Sequence, residues 1–198
     1  MIRPNTAVDS AENIARVLRE EGMDVADGDT EFTCFKIKNF ESLSGSAAFK
    51  QGPFRIKDIG SQTAAHEGYK ALSSVSDKKD PLIIDICAAP GGKSLCMAEY
   101  YPGAAIIAND KSEQKAALII ENAERLSIKN IAPSVRDGRM LNEGWVGKAD
   151  LVIADVPCSG LGVIGQKPDI KLRVKKKDLE ELCTLQYEIA KTASAYVR

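Results

Sequence analysis

Hydrophobic and polar positions follow two different patterns along the chain, and the change falls near residue 81. From Pro81 onward, short continuous apolar runs alternate with helical periodicity, which is typical of a parallel sheet flanked by helices. We therefore predict an α/β fold for this part of the chain. The predicted strands are 81–86, 104–108, 131–135 and 150–155, the predicted helices are 94–100, 112–126 and 179–197, and 159–177 is predicted as a long loop.

A smaller α+β unit precedes this alternation. Asp9 and Glu12 have the spacing of a capping box, with Asp9 as N-cap, and Gly22 is placed to end the helix that follows. We divide the chain into an N-terminal module, residues 1–57, and a sheet domain that starts at residue 58 and runs to residue 198. The remaining predictions are strands at 2–6, 33–37 and 51–57, and a helix at 61–74 with Ala64, Ala65, Gly68 and Leu72 facing inward.

Composition narrows the class of protein without identifying a function. The 198 residues carry 27 Lys or Arg and 28 Asp or Glu, a net charge of −1. This balance argues against a purely electrostatic nucleic-acid binder but allows a local basic groove. No apolar run approaches the ~20 residues of a membrane helix, and residues 1–9 lack the apolar segment of a signal peptide. Five cysteines without a CxxC pair, and a single histidine, argue against a metal site or a disulfide framework and predict a cytoplasmic protein.

Acidic or thiol side chains lie at, or just after, the end of each predicted strand of the sheet domain. Asp85 and Cys87 follow the first strand, Asp110 the second, Asp137 the third and Asp155 the fourth. Ligands of open α/β sheets bind outside the carboxyl ends of the strands. The four strand ends therefore predict one ligand site.

A small-residue turn connects the first strand to the first helix. Its glycines let the backbone approach a ligand, and the helix that follows offers free N–H groups. Asp110 lies 18 residues after Gly92, close to the spacing of an acidic residue that binds ribose hydroxyls. A tight turn without a ligand is the alternative interpretation. The turn consists of Cys87, Ala88, Ala89, Pro90, Gly91, Gly92 and Lys93.

The same turn ends like the phosphate-binding loop of an ATPase, since Gly92, Lys93 and Ser94 close that motif. The motif requires glycine where Cys87 stands, and Pro90 removes an N–H that would face a phosphate. An ATPase is therefore a weaker hypothesis.

Cys158 differs from the other cysteines because Pro157 and Gly160 constrain its backbone just after Asp155, at the ligand edge of the sheet. Cys34, Cys96 and Cys183 fit small buried side chains instead. We predict that Cys158 is a chemically active thiol and that Asp155 acts beside it.

The predicted loop that follows is basic. It contains six basic residues, among them Lys167, Lys171 and Arg173, and a single acidic residue, Asp169. Such a run is most often a solvated surface, but beside a ligand site it can bind phosphates of RNA. An RNA-binding module without catalysis is a second alternative.

Two long segments carry a resemblance to a known family. Asp85–Ser94 (DICAAPGGKS) and Asp155–Lys171 (DVPCSGLGVIGQKPDIK) are similar to motifs of the Sun/RsmB family of RNA cytosine-5 methyltransferases. Ile2–Thr6 and residues 52–65 resemble the small RRM-like module of that family, so the resemblance covers nearly the whole chain. It implies a Rossmann-like class I methyltransferase sheet preceded by an RRM-like module, with S-adenosylmethionine as cofactor, ribosomal RNA as partner and no metal.

The resemblance also implies roles for individual residues. The turn Cys87–Lys93 would bind the methionine end of the cofactor, Asp110 its ribose and Asp137 its adenine. Asp155 would lie near the methionine amine and the target base. Cys158 would help to release the product.

In this family the attacking thiol belongs to a Thr-Cys motif at the end of the strand that follows the last helix. We expect that strand, and so the attacking cysteine, to lie beyond Arg198, with no residues before Arg198 left to form it. The bacterial branch also has an N-terminal RNA-binding domain that has no counterpart here. We therefore expect the 198 residues alone to methylate RNA little or not at all.

Overall fold

The structure is a computed structural model that describes residues 1–6, 8–28, 34–40, 49, 51–52, 54–56, 59–165 and 168–198. These residues form two four-stranded sheets with helices packed on them. The strands are β1 Ile2–Pro4, β2 Asp24–Asp27, β3 Phe35–Lys38, β4 Phe54–Ile56, β5 Leu82–Asp85, β6 Ala105–Asp110, β7 Ile131–Val135 and β8 Leu151–Ile153. The helices are α1 Ala11–Glu20, α2 Ile59–Val75, α3 Gly92–Tyr100, α4 Glu113–Arg125, α5 Ile170–Arg173 and α6 Lys176–Ser194, with a 3₁₀ turn at Leu161–Val163.

The second sheet is parallel, in the order β7-β6-β5-β8, which confirms the α/β prediction. Its central strand β5 is buried on both faces. Ile83 packs in a cluster with side chains of α2 and α3, whereas Ile84 packs in a cluster with Ile189 and Ala193 of α6. Helices on both faces explain why the strand sequences are continuously apolar.

The predicted elements of this domain are all present, with ends shifted by a few residues. The predicted loop 159–177 is partly wrong, because it contains the 3₁₀ turn and α5.

The end of the last helix was predicted too late, at residue 197. Helix α6 ends at Ser194, and Val197 then forms a parallel bridge with Ala149. The Arg198 N–H donates to the Ala149 carbonyl at 3.1 Å, and the Ala149 N–H donates to the Tyr196 carbonyl at 2.9 Å. This contact is a single isolated bridge next to the start of β8, and it is possible because the helix ends earlier than its apolar stripe predicted.

The first sheet is antiparallel, in the order β2-β3-β1-β4, with α1 packed on one face. Ile14 and Leu18 of α1 form a buried cluster with Ile2 and Phe54. A helix between β1 and β2, followed by β3 and β4, is the succession of an RRM-like α+β unit. Strand β2 was not predicted, because Asp24–Asp27 has acidic residues at both ends and lacks a clear alternation.

Two details of the predicted helices need correction. The N-cap of α1 is Ser10, whose Oγ accepts a hydrogen bond from the Asn13 N–H at 3.1 Å, while Asp9 accepts one from the Ser10 N–H. In α2, Ala65 and Leu72 are buried as predicted, whereas Ala64 is exposed and Gln62 is buried as well. Gln62 is buried because its side chain bonds to Cys34 of the module.

The face of the first sheet opposite α1 packs against α3 of the second domain. Arg55 is 4% exposed, and its Nη2 lies 2.6 Å from Glu99 Oε2. The Arg3 Nε lies 3.2 Å from the same carboxylate oxygen. One largely buried carboxylate thus holds two guanidinium groups, so the module and the helix that begins at the small-residue turn are tied together.

A second contact joins the module to the end of α4. The Asn5 Nδ2 donates to the carbonyl oxygens of Leu126 at 2.9 Å and Gly52 at 3.2 Å. Arg125 donates to the Phe54 carbonyl at 2.9 Å, and its guanidinium lies 4.1 Å from the centre of the Phe49 ring. The module is therefore fixed on the sheet domain by buried polar bonds on both α3 and α4.

Candidate active site

The candidate site lies at the carboxyl ends of the parallel strands. The chain runs from β5 outward to β6 and β7, and then returns to β8 on the other side of β5. Such a reversal of strand order opens a crevice between the two central strand ends, which is where open α/β sheets bind ligands. Cys87 follows β5 and Asp155 follows β8, so both stand beside this crevice.

The small-residue turn is held tightly against α4. The Ala88 N–H donates to the Asn109 carbonyl at 2.8 Å, and the Gly91 N–H donates to the Ala88 carbonyl at 2.7 Å. Gly91 is the N-cap of α3 with φ at 100°. A Cβ there would lie 3.3 Å from Ile119 Cγ2, so both the conformation and the space favour glycine.

Asn109 is a site residue that the sequence interpretation missed. It is 1% exposed, and its Nδ2 donates to the carbonyls of Ile86 and Arg136, each at 3.0 Å. One side chain thereby joins the ends of β5 and β7 on either side of β6. Its polar character inside an apolar strand was the available signal, since a buried amide needs partners.

The four carboxylates do converge, as predicted. Burial is the largest cause that raises the pKa of the Cys87 thiol to about 11, followed by the negative charges of Asp85, Asp110, Asp155 and Asp137, in that order. Cys87 therefore remains a neutral thiol at neutral pH and is not an activated nucleophile.

Lys93 and Asp155 form an ion pair across the crevice. The Lys93 Nζ lies 2.5 Å from Asp155 Oδ2, and the lysine side chain is 15% exposed while the aspartate side chain is 57% exposed. The lysine of the small-residue turn thus holds the carboxylate after β8. This pairing was not predicted, although both residues were candidates.

Asp110 and Asp137 stand at the ends of β6 and β7. Asp110 Oδ1 accepts from the Ser112 N–H at 3.1 Å, which shapes the turn into α4. Asp137 is bound by the Arg139 side chain, and this hydrogen bond is the main cause that lowers the Asp137 pKa to about 2. Arg139 is the second site residue that sequence reasoning missed.

Cys158 is exposed, and its turn is tied to α6. The carbonyl of the preceding Pro157 accepts from Gln186 Nε2 at 2.7 Å. Gly160, with φ at 75°, lies close to Ile170 of α5. The thiol is therefore presented at the crevice edge near Asp155 by a constrained backbone. Among the other cysteines, Cys34 and Cys96 are buried as predicted, but Cys183 is exposed.

Arg198, beyond which the sequence predicts the attacking thiol, lies at the opposite edge of the sheet from the site. Its guanidinium pairs with the Asp150 carboxylate, which comes just before β8. The Asp150 Oδ2 also accepts from the Leu82 N–H at 2.7 Å, at the start of β5. Arg198 therefore stands where the parallel strands begin, and the crevice lies where they end.

The basic residues predicted to bind RNA divide between two parts of the chain. Lys167 lies outside the described residues. Lys171 and Arg173 belong to the short helix α5, close in the chain to Cys158. Within the part of the chain that the structure describes, no group of three or more His, Cys, Asp or Glu side chains could hold a metal ion. No helix formed by those residues has the length and apolar character needed to cross a membrane.

Asp85 forms the floor of the site and is 1% exposed. Its Oδ2 accepts from Ser94 Oγ at 2.7 Å, and the backbone of Cys87 also donates a hydrogen bond to this carboxylate. Burial raises the Asp85 pKa to about 6, against the bond from Ser94 and the charge of Lys93, which lower it. The unfolded chain would have the ordinary value of 3.8, so the folded chain binds this proton more tightly.

The pH dependence of stability follows from that shift. The stability that Asp85 contributes is fully present below about pH 4 and is lost as the pH rises through about 6. We expect Asp85→Asn to gain in free energy of unfolding relative to the wild type between about pH 4 and about pH 7. Urea unfolding at both pH values measures this change. Asp80→Asn, at an exposed position, is the control, and an equal pH response of the two variants would contradict the assignment.

Comparisons with known proteins agree with this geometry. The family model described as "16S rRNA methyltransferase RsmB/F" matches residues 72–198. The chain belongs to this family. The Bacillus subtilis protein named probable ribosomal RNA small subunit methyltransferase B is 32% identical over 180 residues, which are 90% of this chain and 38% of that protein.

Two solved structures are similar to this chain. The crystal structure of the protein PH0851 has a TM-score of 0.88 at 29% identity and is matched over 100% of this chain and 43% of its own. The structure of NSun6 from Pyrococcus horikoshii with SFG has a TM-score of 0.68 at 30% identity, over 84% of this chain and 42% of its own. The chain spans about two fifths of the length of each of these three proteins.

The site fits the cofactor that the resemblance implies. One buried acceptor atom, Asn109 Oδ1, lacks a hydrogen-bond partner among the described residues and lies at a strand end that forms the site. The glycine at position 91 leaves no room for a side chain beside the turn. A buried acceptor beneath the turn and the partly or fully exposed carboxylates of Asp110, Asp137 and Asp155 suit an amino acid and a nucleoside, which both carry N–H or O–H donors.

Proposed function

We propose that this chain binds S-adenosylmethionine and belongs to an enzyme that methylates carbon 5 of a cytosine in small-subunit ribosomal RNA. The observation that supports this most is the convergence of four strand-end carboxylates on the small-residue turn, in a chain of the RsmB/F family. SFG, which is an analogue of S-adenosylmethionine, accompanies the related NSun6 structure.

Each site residue has a part in holding the cofactor. The turn Cys87–Lys93 and the start of α3 would receive the methionine end. Asp110 would accept hydrogen bonds from the ribose hydroxyls and Asp137 one from the adenine amine. The neutral Cys87 thiol adds no negative charge to a site that already has four carboxyl groups. The cofactor supplies the methyl group.

Asp155 and Cys158 would act on the RNA base. Carbon 5 of cytosine is a weak nucleophile, and addition of a thiolate to carbon 6 makes it reactive. After methylation, a base removes the proton on carbon 5, and the carbon–sulfur bond breaks to release the attacking thiolate. Asp155, which Lys93 holds in place, would hydrogen-bond the edge of the base, and Cys158 would assist the release.

We also propose that the attacking thiol belongs to a Thr-Cys strand that continues from Arg198. The cysteines before it support this division, since Cys87 is a neutral thiol, while Cys34 and Cys96 are buried. The parallel bridge between Val197 and Ala149 gives the direction of such a strand. Running alongside β8, it would bring its carboxyl end, and the thiol, to the crevice.

The basic segment after Cys158 would bind the backbone of the RNA. Lys171 and Arg173 lie on α5, and Lys167 would join them. Cationic side chains in this position would hold phosphates next to the base that enters the crevice.

RNA containing 5-fluorocytosine separates the two thiol roles, because fluorine blocks the loss of the carbon 5 substituent and retains the adduct. With S-adenosylmethionine present, we expect no covalent complex between this RNA and the 198-residue chain. In a longer form that includes the Thr-Cys strand, Cys158→Ala should accumulate adduct with ordinary RNA, since release is impaired. Denaturing gels measure both.

Cys183→Ser is the matched control, because Cys183 is an exposed thiol on α6. A covalent complex of the 198-residue chain that disappears in Cys158→Ala would contradict this assignment and make Cys158 the attacking thiol. RNA binding without any binding of S-adenosylmethionine would support the non-catalytic alternative instead.

A further inference from the structure

Arg139 donates several hydrogen bonds to the two carboxylate oxygens of Asp137. Its Nε lies 3.0 Å from Oδ1 and its Nη2 lies 2.6 Å from Oδ2, while its backbone N–H donates to Oδ1 at 3.0 Å. Each carboxylate oxygen accepts about two hydrogen bonds. Oδ1 is therefore fully used, and a ligand donor must compete with the guanidinium for Oδ2.

A second carboxylate lies on the other side of the same guanidinium. Glu188 of α6 places Oε2 3.8 Å from Arg139 Nη1, so this pair is loose while the Asp137 pair is tight. Thr192, one turn further along α6, donates through Oγ1 to the Arg139 carbonyl at 2.9 Å. This bond fixes the backbone of Arg139 on α6, which leaves its side chain as the part that can move.

There is room for that movement. An open cleft of about 490 Å³ lies between the end of β7 and α6, and Asp137, Arg139, Glu188 and Lys191 line it. The Arg139 side chain is 49% exposed and that of Glu188 is 47% exposed. The guanidinium can therefore turn from one carboxylate to the other without displacing packed side chains.

We propose that Arg139 is a positioning residue shared between Asp137 and Glu188. Without ligand it holds the Asp137 carboxylate in place, and when a ligand amino group bonds to Asp137 Oδ2 it moves towards Glu188. Ligand binding at the end of β7 thereby strengthens the contact of Arg139 with Glu188 on α6. The inference rests on the proposed function, because that function supplies the purine amino group that faces Asp137.

A double-mutant cycle with calorimetry of S-adenosylmethionine binding tests the sharing. We expect Glu188→Gln to weaken binding about fivefold, because the guanidinium loses its alternative partner. In an Arg139→Lys background the same change should have no further effect, since lysine lacks the fork that spans two carboxylates. Glu181→Gln, on the same helix and paired with Lys177, is the control and should bind as the wild type does.

NMR titration of Asp137 in the absence of ligand gives a second readout, which distinguishes failure of this inference from failure of the proposed function. Arg139→Lys should raise the Asp137 pKa towards its ordinary value, and Glu181→Gln should leave it unchanged. An unchanged Asp137 pKa in Arg139→Lys would overturn the inference, as would equal effects of Glu188→Gln in both backgrounds. If the wild type binds no S-adenosylmethionine, the proposed function fails, while the titration still judges the role of Arg139.

Discussion

Gly52→Ala is expected to destabilise the chain by about 3 kcal/mol or more, through positive-φ strain and overpacking together. A Cβ at position 52 would lie only 1.7 Å from the carbonyl oxygen of Arg125 and 2.8 Å from its carbonyl carbon. The obstacle is backbone of α4, so no side chain can move aside. Gly52 also has φ at +78°, which a residue with a Cβ adopts at a cost.

The same substitution at Gly22 separates strain from collision. Gly22 has φ at +84°, but nothing lies within 4 Å of its added Cβ. Gly22→Ala should therefore cost only about 1–2 kcal/mol, the strain of the left-handed conformation. Urea unfolding of both variants measures the difference, and a loss of intensity in the Asn5 side-chain amide signals would show separation of the module from α4. Equal destabilisation of the two variants would mean that residue 52 does not approach α4.

Asp110→Asn is expected to lower the affinity for S-adenosylmethionine by roughly 30-fold to 1000-fold. Replacing a charged acceptor by a neutral one weakens each hydrogen bond by about 1–2 kcal/mol, so two bonds to ribose hydroxyls lose about 2–4 kcal/mol, and each 1.4 kcal/mol is about a factor of ten. The asparagine oxygen can still accept from the Ser112 N–H, so the turn into α4 is retained. Its amide NH₂ then faces the ribose in place of a carboxylate oxygen.

Asp80→Asn is the matched control, since Asp80 is exposed and precedes β5, at the opposite edge of the sheet from the site. It should bind the cofactor as tightly as the wild type. Calorimetry gives both affinities, and circular dichroism verifies that the variants are folded. An Asp110→Asn variant that binds as well as the control would remove Asp110 from the ribose site.

The sheet domain could be predicted from sequence because its signals agree with one another. Strand β5 is an uninterrupted apolar run, the turn with Gly91 and Gly92 follows it, and every later strand ends near an acidic residue. Parallel strands bring their carboxyl ends to one edge, so the convergence of Asp110, Asp137 and Asp155 followed from topology alone.

The residues at which helices begin and end could not be predicted in the same way, because neighbouring residues are equally suited to those positions. Asp9 and Ser10 are both good N-caps, and their order was decided by backbone conformation, with Ser10 extended at φ −66° and ψ 149°. The α6 terminus was predicted too late because Tyr196 is apolar and fits the helical stripe. Tyr196 instead packs with Ala149 beneath the sheet, where Val197 begins to pair.

Partners distant in sequence were also invisible to pattern analysis. Gln62 of α2 is buried where its side chain bonds to Cys34 of the module. The sequence around Arg139 gives no sign that its side chain binds the Asp137 carboxylate. Lys93 was assigned to the small-residue turn, but its partner Asp155 lies 62 positions later in the chain. Sequence patterns report periodicity and spacing, whereas these contacts depend on how the β-strands are ordered.

Calorimetric titration of S-adenosylmethionine into the 198-residue chain tests directly whether the crevice at the strand ends binds this cofactor. Binding needs the crevice and does not need the attacking thiol. We expect saturable binding of S-adenosylmethionine at one site per chain, and no comparable heat when ATP and magnesium are titrated instead. Absence of binding by a chain that is folded by circular dichroism would contradict it, and binding of ATP with magnesium in its place would favour the ATPase alternative.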